Sequence, residues 1–364
     1  MEPINRYPMK RFSIILFLML LCTLSCAQNK VNGHVIGFYN LENLFDIYND
    51  PAHNDEEFLP EGKNKWTAAK YQKKVGNMAR VIRAMHDDNG CWHTVLGVSE
   101  IENRLVLEDL VSDPQIASAN YQIVHYDGPD RRGVDVALLY DPAKFKYLDS
   151  ESIPFTFEGS KVRITLDQAG QDNFRTRDVL MVHGLIDDEH FAIYVCHLPS
   201  RLGGKGGDLR SRGAEIIYNH ARQMERKYRG LKVVVMGDMN DNPTDESQTV
   251  WLHGREEISP RMLREDFFNP FISMLKDGFG SLAYRGKWNI YDIIQVNYYL
   301  AAAPYGGLKI QPVVKNKYYG RIFHKPFMIQ QSGQYKGQPF RTFSNGAFVG
   351  GFSDHFPTYI VISK

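Results

Sequence analysis

Five times in this chain an apolar run of strand length breaks at once into carboxylates, amides or imidazoles. The breaks are "YNLEN" at Asn40, "SEIEN" at Glu100, "CHLPS" at His197, "GDMND" at Asp238 and Asn240, and "SDHFP" at Asp354 and His355. One aspartate behind one apolar run is ordinarily a turn former or a helix cap. Five such breaks, each read as the C-terminal end of a strand, constrain the fold more than any other feature here.

Between these runs two long segments change period. "TAAKYQKKVGNMARVIRAMH" places Val75, Met78, Ala79, Ile82 and Met85 at helical spacing behind the potential N-cap Thr67. Lys70, Lys73 and Lys74 are expected on its solvated face. "LRSRGAEIIYNHARQMERKY" reads as a second long helix after the glycine-rich loop "GGKGGD". "YQIVHYDGPDRRGVDVALLYDP" reads as strand, turn, strand, and "DVLMVHGLI" with "FAIYVCHLPS" as a hairpin across "DDEH". "NIYDIIQVNYYLA" and "FSDHFPTYIVIS" supply further strands. No repeat or heptad pattern interrupts this order. The expectation is one α/β domain over residues 31–364: two mixed, mainly antiparallel sheets packed together with helices on both outer faces, a four-layered sandwich.

The first 27 residues read as a signal peptide. Basic Lys10 and Arg11 precede the apolar stretch 12–21 and a run of small residues. "TLSC" reads as a lipobox that would lipidate Cys26 and anchor the protein to a membrane; "SCA" before Gln28 reads as an ordinary cleavage site. Either way the chain is expected outside the cytoplasm, as a periplasmic protein or an outer-membrane lipoprotein of a Gram-negative-type bacterium. Cys91 and Cys196 are then left, and both are expected as free, buried thiols. With 43 basic and 42 acidic residues, no global field draws the protein to polyanions. An anionic substrate would be held by local charge or by a metal.

The stretch "GDMNDNPTDES" tests one metal chemistry directly. Asp238, Asn240 and Asn242 match the first ligands of an EF-hand loop, but Pro243 stands where that loop needs glycine and Thr249 where it needs glutamate. "GGKGG" is not followed by the Gly-Lys-Ser/Thr of a phosphate-binding loop. Taken together, the five clusters supply the parts of metal-assisted phosphoester hydrolysis: carboxylates for a hard cation, an acid beside a water, and imidazoles near neutral pKa.

In this order the clusters resemble the endonuclease/exonuclease/phosphatase superfamily of DNase I-like enzymes, over essentially the whole of residues 31–364. "PDRRGVDVALLY" and "HLPSRLGG" are most similar to its exported bacterial members. The resemblance implies that Asn40, Glu100 and Asp354 hold or approach a divalent metal, Mg²⁺ or Mn²⁺, with Ca²⁺ a further candidate. Ser99 stands where the family commonly has glutamine. The resemblance further implies that Asp238 positions or deprotonates the attacking water and that Asn240 hydrogen-bonds the phosphate. His197 and His355 would flank the scissile phosphate, and Asp292 would orient His355. Asp135 is a candidate partner for His197. Side chains two apart on a strand share a face, so Asp238 and Asn240 are expected side by side and Asp241 opposite them.

Arg132, Arg177 and Arg201 lie in polar turns beside these clusters and are candidate substrate contacts, since a guanidinium suits phosphate. Lys205, "PFRTF" (339–343), Tyr318 and Tyr319 are candidates for a substrate rim. The expected function is a divalent-metal-dependent phosphodiesterase of nuclease type acting on DNA or RNA. A lipid head-group or small-metabolite phosphoesterase is the alternative, and a catalytically dead binding module is a third reading.

Overall fold

The computed structural model describes residues 31–201, 204–284, 286–302, 307–313 and 317–364; the leader and Cys26 lie outside them. The first large sheet contains β1 (His34–Leu44), β2 (Val95–Ile101), β3 (Gln122–His125), β4 (Asp135–Tyr140), β14 (Lys309–Gln311), β15 (Gly320–Ile322) and β18 (Thr358–Ser363). Its order is β14-β18-β1-β2-β4-β3, with β15 also on β18, and only β1 and β2 run parallel. The second contains β5 (Lys146–Ile153), β6 (Val179–Ile186), β7 (Glu189–His197), β8 (Lys232–Asp238), β9 (Gly254–Arg255), β10 (Phe267–Phe268) and β13 (Asp292–Asn297). Its order is β5-β6-β7-β8-β13-β10-β9, with parallel pairs β7/β8 and β9/β10. Two hairpins stand apart: β11 (Leu282–Tyr284) with β12 (Lys287–Asn289), and β16 (Phe343–Ser344) with β17 (Ala347–Phe348).

The two sheets face each other, β1 and β2 against β7, β8 and β13. These strands are buried on both faces, which is why their sequences are continuous apolar runs rather than alternating ones. The sheets approach closely at Gly97 of β2, where a Cβ would lie 2.6 Å from the Met236 sulfur of β8. Helix α1 (Ala68–Asn89) covers β1 and packs on α2 (Arg104–Ser112). On the other outer face α4 (Gly207–Lys227) covers β7. Short helices α3 (Gln168–Asn173), α5 (Phe271–Lys276) and α6 (Tyr298–Ala301) fill connections. The layers are helix, sheet, sheet, helix, the architecture expected from the sequence.

Several local expectations are corrected. Lys74 is not on the solvated face of α1; it is fully buried. The "SDHFP" cluster does not end a strand but precedes β18, and Asp292 begins β13 rather than lying within a longer strand. β13 stops at Asn297, whose side-chain oxygen caps α6 by accepting from the Leu300 N–H at 3.3 Å. Thr67 occupies the N-cap of α1 in extended conformation but makes no side-chain cap bond. Cys91 and Cys196 are both free, though Cys91 is only half-buried. Tyr318 and Tyr319 are packing residues, against Phe279 and Phe268. Phe343 packs against Trp66 and Phe58.

Sheet direction explains how clusters far apart in sequence converge. The parallel pairs β1/β2 and β7/β8 all run toward one rim. β18 is antiparallel to β1 and β13 is antiparallel to β8, so each begins where its neighbour ends. Four strand ends and two strand starts therefore deliver their polar residues to the same edge of the sandwich.

Candidate active site

Three side chains of the second sheet stand in one row across adjacent strands. His197, the last residue of β7, is in register with Asp238, the last of β8, and Asp238 is in register with Asp292, the first of β13. His355 closes the row. Its Nδ1 lies 2.8 and 3.0 Å from the two carboxylate oxygens of Asp292, and its Nε2 lies 3.9 Å from Asp238 Oδ2. The Ser281 hydroxyl also donates to Asp292 Oδ2 at 2.5 Å, so Asp292 is held from two sides. The loop that carries His355 is tied to β1: Ser353 Oγ donates to the Asn40 carbonyl at 2.7 Å and accepts from the His355 N–H at 3.1 Å.

The first sheet contributes Asn40 and Glu100 from its two parallel strands. Asn40 pairs with Ser99, and beyond that pair both strands bulge. Glu100, Glu42 and Asn43 all have positive φ, at 58°, 49° and 55°. Non-glycine residues there cost of order 1 kcal/mol each and survive where their surroundings hold them. The bulge re-aims Glu100 toward the other sheet. Glu100 Oε2 takes the Asn43 N–H at 3.0 Å and Oε1 takes the Asn40 amide at 3.1 Å. The same Asn40 amide donates to Asp238 Oδ2 at 3.0 Å, while its own oxygen accepts the Glu42 N–H at 2.9 Å. Asn40 thus bridges two carboxylates with its N–H groups, while its oxygen accepts one N–H.

His197 Nε2 lies 3.7 Å from Asp238 Oδ2 and 3.9 Å from Glu100 Oε1. Ligand atoms of Glu100, His197 and Asp238 all fall within 4.8 Å of one another. His197 Nδ1 is buried without a hydrogen-bond partner. Two carboxylates and an imidazole held this closely suit a divalent cation. The donor set is mostly oxygen, and histidine and cysteine pairing of a structural zinc site is missing among the described residues. Asp354, expected beside Glu100, stands outside that group. It lies on the far side of His355 Nε2, at 3.9 Å, where Arg341 Nη2 pairs with it at 2.6 Å.

Neighbouring charge divides the two histidines. Burial lowers the His197 pKa, and the nearby Arg177, Arg132 and His355 charges lower it further, so His197 is neutral. Burial acts the same way on His355, but the carboxylates of Asp292 and Asp238 outweigh it and hold the imidazolium well above the ordinary range. Burial pushes Asp238 up to about 6, with Asp292 and Glu100 also raising it and His355 opposing them. The row therefore contains a charged donor, a neutral imidazole and a carboxylate that titrates near neutrality.

The remaining candidates separate. Asn240 does not share a strand face with Asp238, because β8 has ended. Its φ is 49°, its N–H turns back to Asp238 Oδ1 at 2.9 Å and its amide donates to the Leu198 carbonyl at 3.0 Å. Asp241 is buried against Arg210 (2.7 Å), and Arg210 also donates to the carbonyls of Pro199, Ser200 and Lys205. That pair locks the loop after His197 to the loop after Asp238. Arg177 is buried and spends its nitrogens on the His197 and Leu198 carbonyls and on Asp130, so it positions the end of β7. Arg201 pairs with Asp245 and Asp241. Arg132 is half-exposed, with Asp130 at 3.8 Å, and is the least committed of the three. Asp135 pairs with His125 at 3.3 Å rather than with His197.

One group beneath the site was not anticipated. Lys74 Nζ donates to Thr342 Oγ1 at 2.5 Å and to the Phe352 carbonyl at 2.6 Å. Asn77, one turn further along α1, donates to the carbonyls of Gly350 and Gly351. Together they strap segment 340–352 to α1. Glu42 takes the Thr342 N–H at 2.6 Å and lies 3.5 Å from Arg341 Nε. Burial lifts Glu42 to about 7, with Asp354 raising it and Lys74 opposing; burial lowers Lys74 to about 8 against the pull of Glu42. The signal was in the sequence, since Tyr71, Lys74, Val75 and Met78 fall at i, i+3, i+4 and i+7 on one helix face.

The profile of the endonuclease/exonuclease/phosphatase family matches residues 35–364. Solved structures share the fold at low identity. A mannosyl-6-phosphatase of Bacteroides thetaiotaomicron is 14% identical, with a TM-score of 0.54 over 91% of this chain and 100% of that one. An endonuclease/exonuclease/phosphatase family protein from the same organism is 14% identical, with a TM-score of 0.54 over 92% and 99%. TDP2 of D. rerio, solved with a single-strand DNA product, is 12% identical, with a TM-score of 0.52 over 92% and 100%. No curated protein matches the sequence.

Proposed function

Because the chain belongs to the endonuclease/exonuclease/phosphatase family, a family of phosphoester hydrolases, we propose that it cleaves phosphodiester bonds in the manner of a nuclease, with a bound Mg²⁺ or Mn²⁺. The observation that carries this reading is the continuous row His197, Asp238, Asp292 and His355 facing Glu100.

Glu100 would hold the cation, supported by the carboxylate of Asp238 and oriented by Asn40. Once bound, it screens the charge of the phosphate and stabilises charge developing in the transition state. Asp238 keeps Oδ2 directed at Asn40, His197 and His355 while Oδ1 is held by the Asn240 N–H. Oδ2, with a lone pair left beside the Asn40 bond, aligns the attacking water and receives its proton, a role suited to a carboxyl of pKa about 6. His355 donates through Nε2 to a phosphoryl oxygen, with its Nδ1–H fixed by Asp292. Neutral His197 accepts or donates at the same phosphate without adding charge.

The site of action we infer is outside the cytoplasm, behind the leader read in the sequence. The structural neighbours include a protein solved with a DNA product and a mannosyl-6-phosphatase, which makes diester and monoester substrates the two arms of the test. Purified protein is assayed with Mg²⁺ or Mn²⁺ on bis-p-nitrophenyl phosphate, then on plasmid DNA, single-stranded DNA, RNA, sphingomyelin and sugar or inositol phosphates, each with and without chelator. Chelator-sensitive cleavage of diesters is the expected result. Failure to turn over any ester with any divalent metal at neutral or alkaline pH would refute it.

A further inference from the structure

Where the C-terminal end of α1 meets β18, a cavity of about 580 Å³ opens on the outer face of the first sheet. Its walls include Asp88 and Asn89 of α1 and Tyr359 and Val361, alternate residues of β18 that share a face. No member of the catalytic row lines it. We propose that this cavity is a second ligand site and that it binds a small organic carboxylate, one anionic head on an apolar body.

The charge of the wall selects an anion. Arg321 and Lys325 converge on the same carboxylate, Arg321 Nη2 on Asp88 Oδ2 at 2.6 Å and Lys325 Nζ on Asp88 Oδ1 at 2.5 Å. Two cations on one carboxylate leave one positive charge over. A monoanion neutralises that surplus, whereas a phosphate dianion would make the cluster negative. The Arg321 guanidinium lines the cavity with its centre 5.7 Å from the Tyr359 ring centroid. Only Nη2 is given to Asp88, and a guanidinium has further N–H groups for a second carboxylate.

A buried polar group without a partner marks the same place. Asn89 is only 2% exposed, lines the cavity, and has a side-chain nitrogen with no hydrogen bond. A buried donor left in that state costs stability, and a ligand oxygen seated on the amide would supply the missing acceptor. The carbonyls of His86 and Asn89, which would repel an anion at this helix end, are taken by the N–H groups of Gly90 and Val31. The rest of the wall is apolar: Val31, Val313 and Val361 with the ring of Tyr359. A space of this size holds a body much larger than the head group.

The test uses three probes with one body and different heads: hydrocinnamate, its primary amide, and phenylpropylamine. Each is titrated by calorimetry into the whole protein. The carboxylate should bind about tenfold or more tightly than the amide, the worth of one charge-assisted hydrogen bond, and the amine should not bind. Arg321→Gln, at a half-buried position, should weaken the carboxylate by about tenfold. Asn89→Leu should also weaken it. That substitution deletes an amide with no bond to lose, so the ligand-free melting temperature should be no lower than that of wild type. Equal affinity for carboxylate and amide, tighter binding of the amine, or carboxylate binding untouched by both substitutions would each overturn the site. Absence of binding by all three probes at millimolar concentration would overturn it as well.

Discussion

Replacing Lys74 with methionine isolates the buried ammonium that straps segment 340–352 to α1. Methionine keeps the length of the stem and loses the ammonium. Two charged hydrogen bonds, to Thr342 Oγ1 at 2.5 Å and to the Phe352 carbonyl at 2.6 Å, disappear. Glu42 keeps Arg341 at 3.5 Å but loses the opposing charge of Lys74. A hydrogen bond to a charged group is worth about 1.5–3 kcal/mol, so the two together cost about 3–6 kcal/mol. That cost should depend on pH. Glu42 has a folded pKa of about 7, raised from 4.5 by burial first and by Asp354. A carboxyl with a raised folded pKa binds its proton more tightly when folded, so its stabilising share is present at acid pH and is lost as pH rises through 7. At pH 5.5 Glu42 is protonated in both proteins and only the hydrogen bonds are missing. At pH 7.5 the variant must also protonate Glu42 or bury its charge. Urea denaturation at the two pH values should therefore show a larger loss of stability at pH 7.5. Adding Glu42→Gln should remove most of the difference between the two pH values. Equal midpoints for Lys74→Met and wild type at pH 7.5, or a loss of the same size at both pH values, would refute the coupling.

Three further outcomes follow from the site. Asp292→Asn removes the largest influence raising the His355 pKa, so the alkaline limb of the pH–rate profile, set by loss of the His355 proton, should move to lower pH and the maximal rate should fall by about 10²-fold or more; an unshifted limb would disconnect the two residues. Asp238→Asn and His355→Ala should each cost orders of magnitude in kcat with circular dichroism unchanged, and near-wild-type rates from either would reassign the row. Glu100→Gln should weaken Mn²⁺ binding, read by calorimetry without substrate, by at least tenfold, whereas Asp354→Asn should weaken it much less because Asp354 lies outside the Glu100, His197 and Asp238 group; the reverse ranking would move the cation to the other side of His355.

The same features show where sequence reasoning reached and where it stopped. β1, β2, β7 and β8 were legible because strands covered on both faces are written as continuous apolar runs, and the polar residue that ends each run needs no distant partner to be recognised. The helices were legible by period, and Lys74 was misread only because a cluster of lysines outweighed its place on the apolar stripe. Arg177 was misread for a different reason. A guanidinium in a polar turn is indistinguishable in sequence whether it meets a substrate or, as here, the His197 and Leu198 carbonyls. Asn240 was placed beside Asp238 on the assumption that the strand continued, and the left-handed turn after Asp238 is a matter of the dihedral angle of Asn240 alone.

By itself, then, the sequence determined the α/β class, the strands of the core and the inventory of carboxylates, amides and imidazoles that meet at the rim, because burial and periodicity act on short stretches of chain. The tertiary structure alone decided the arrangement of that inventory. The antiparallel entry of β13 and β18 set Asp292 and His355 against Asp238. The bulge between β1 and β2 turned Glu100 inward. Lys74, Glu42 and Thr342 became a buried network across three separate segments. Register, bulge geometry and the partner of a buried charge are pairings between distant parts of the chain, and their free energies exist only once the two sheets have packed.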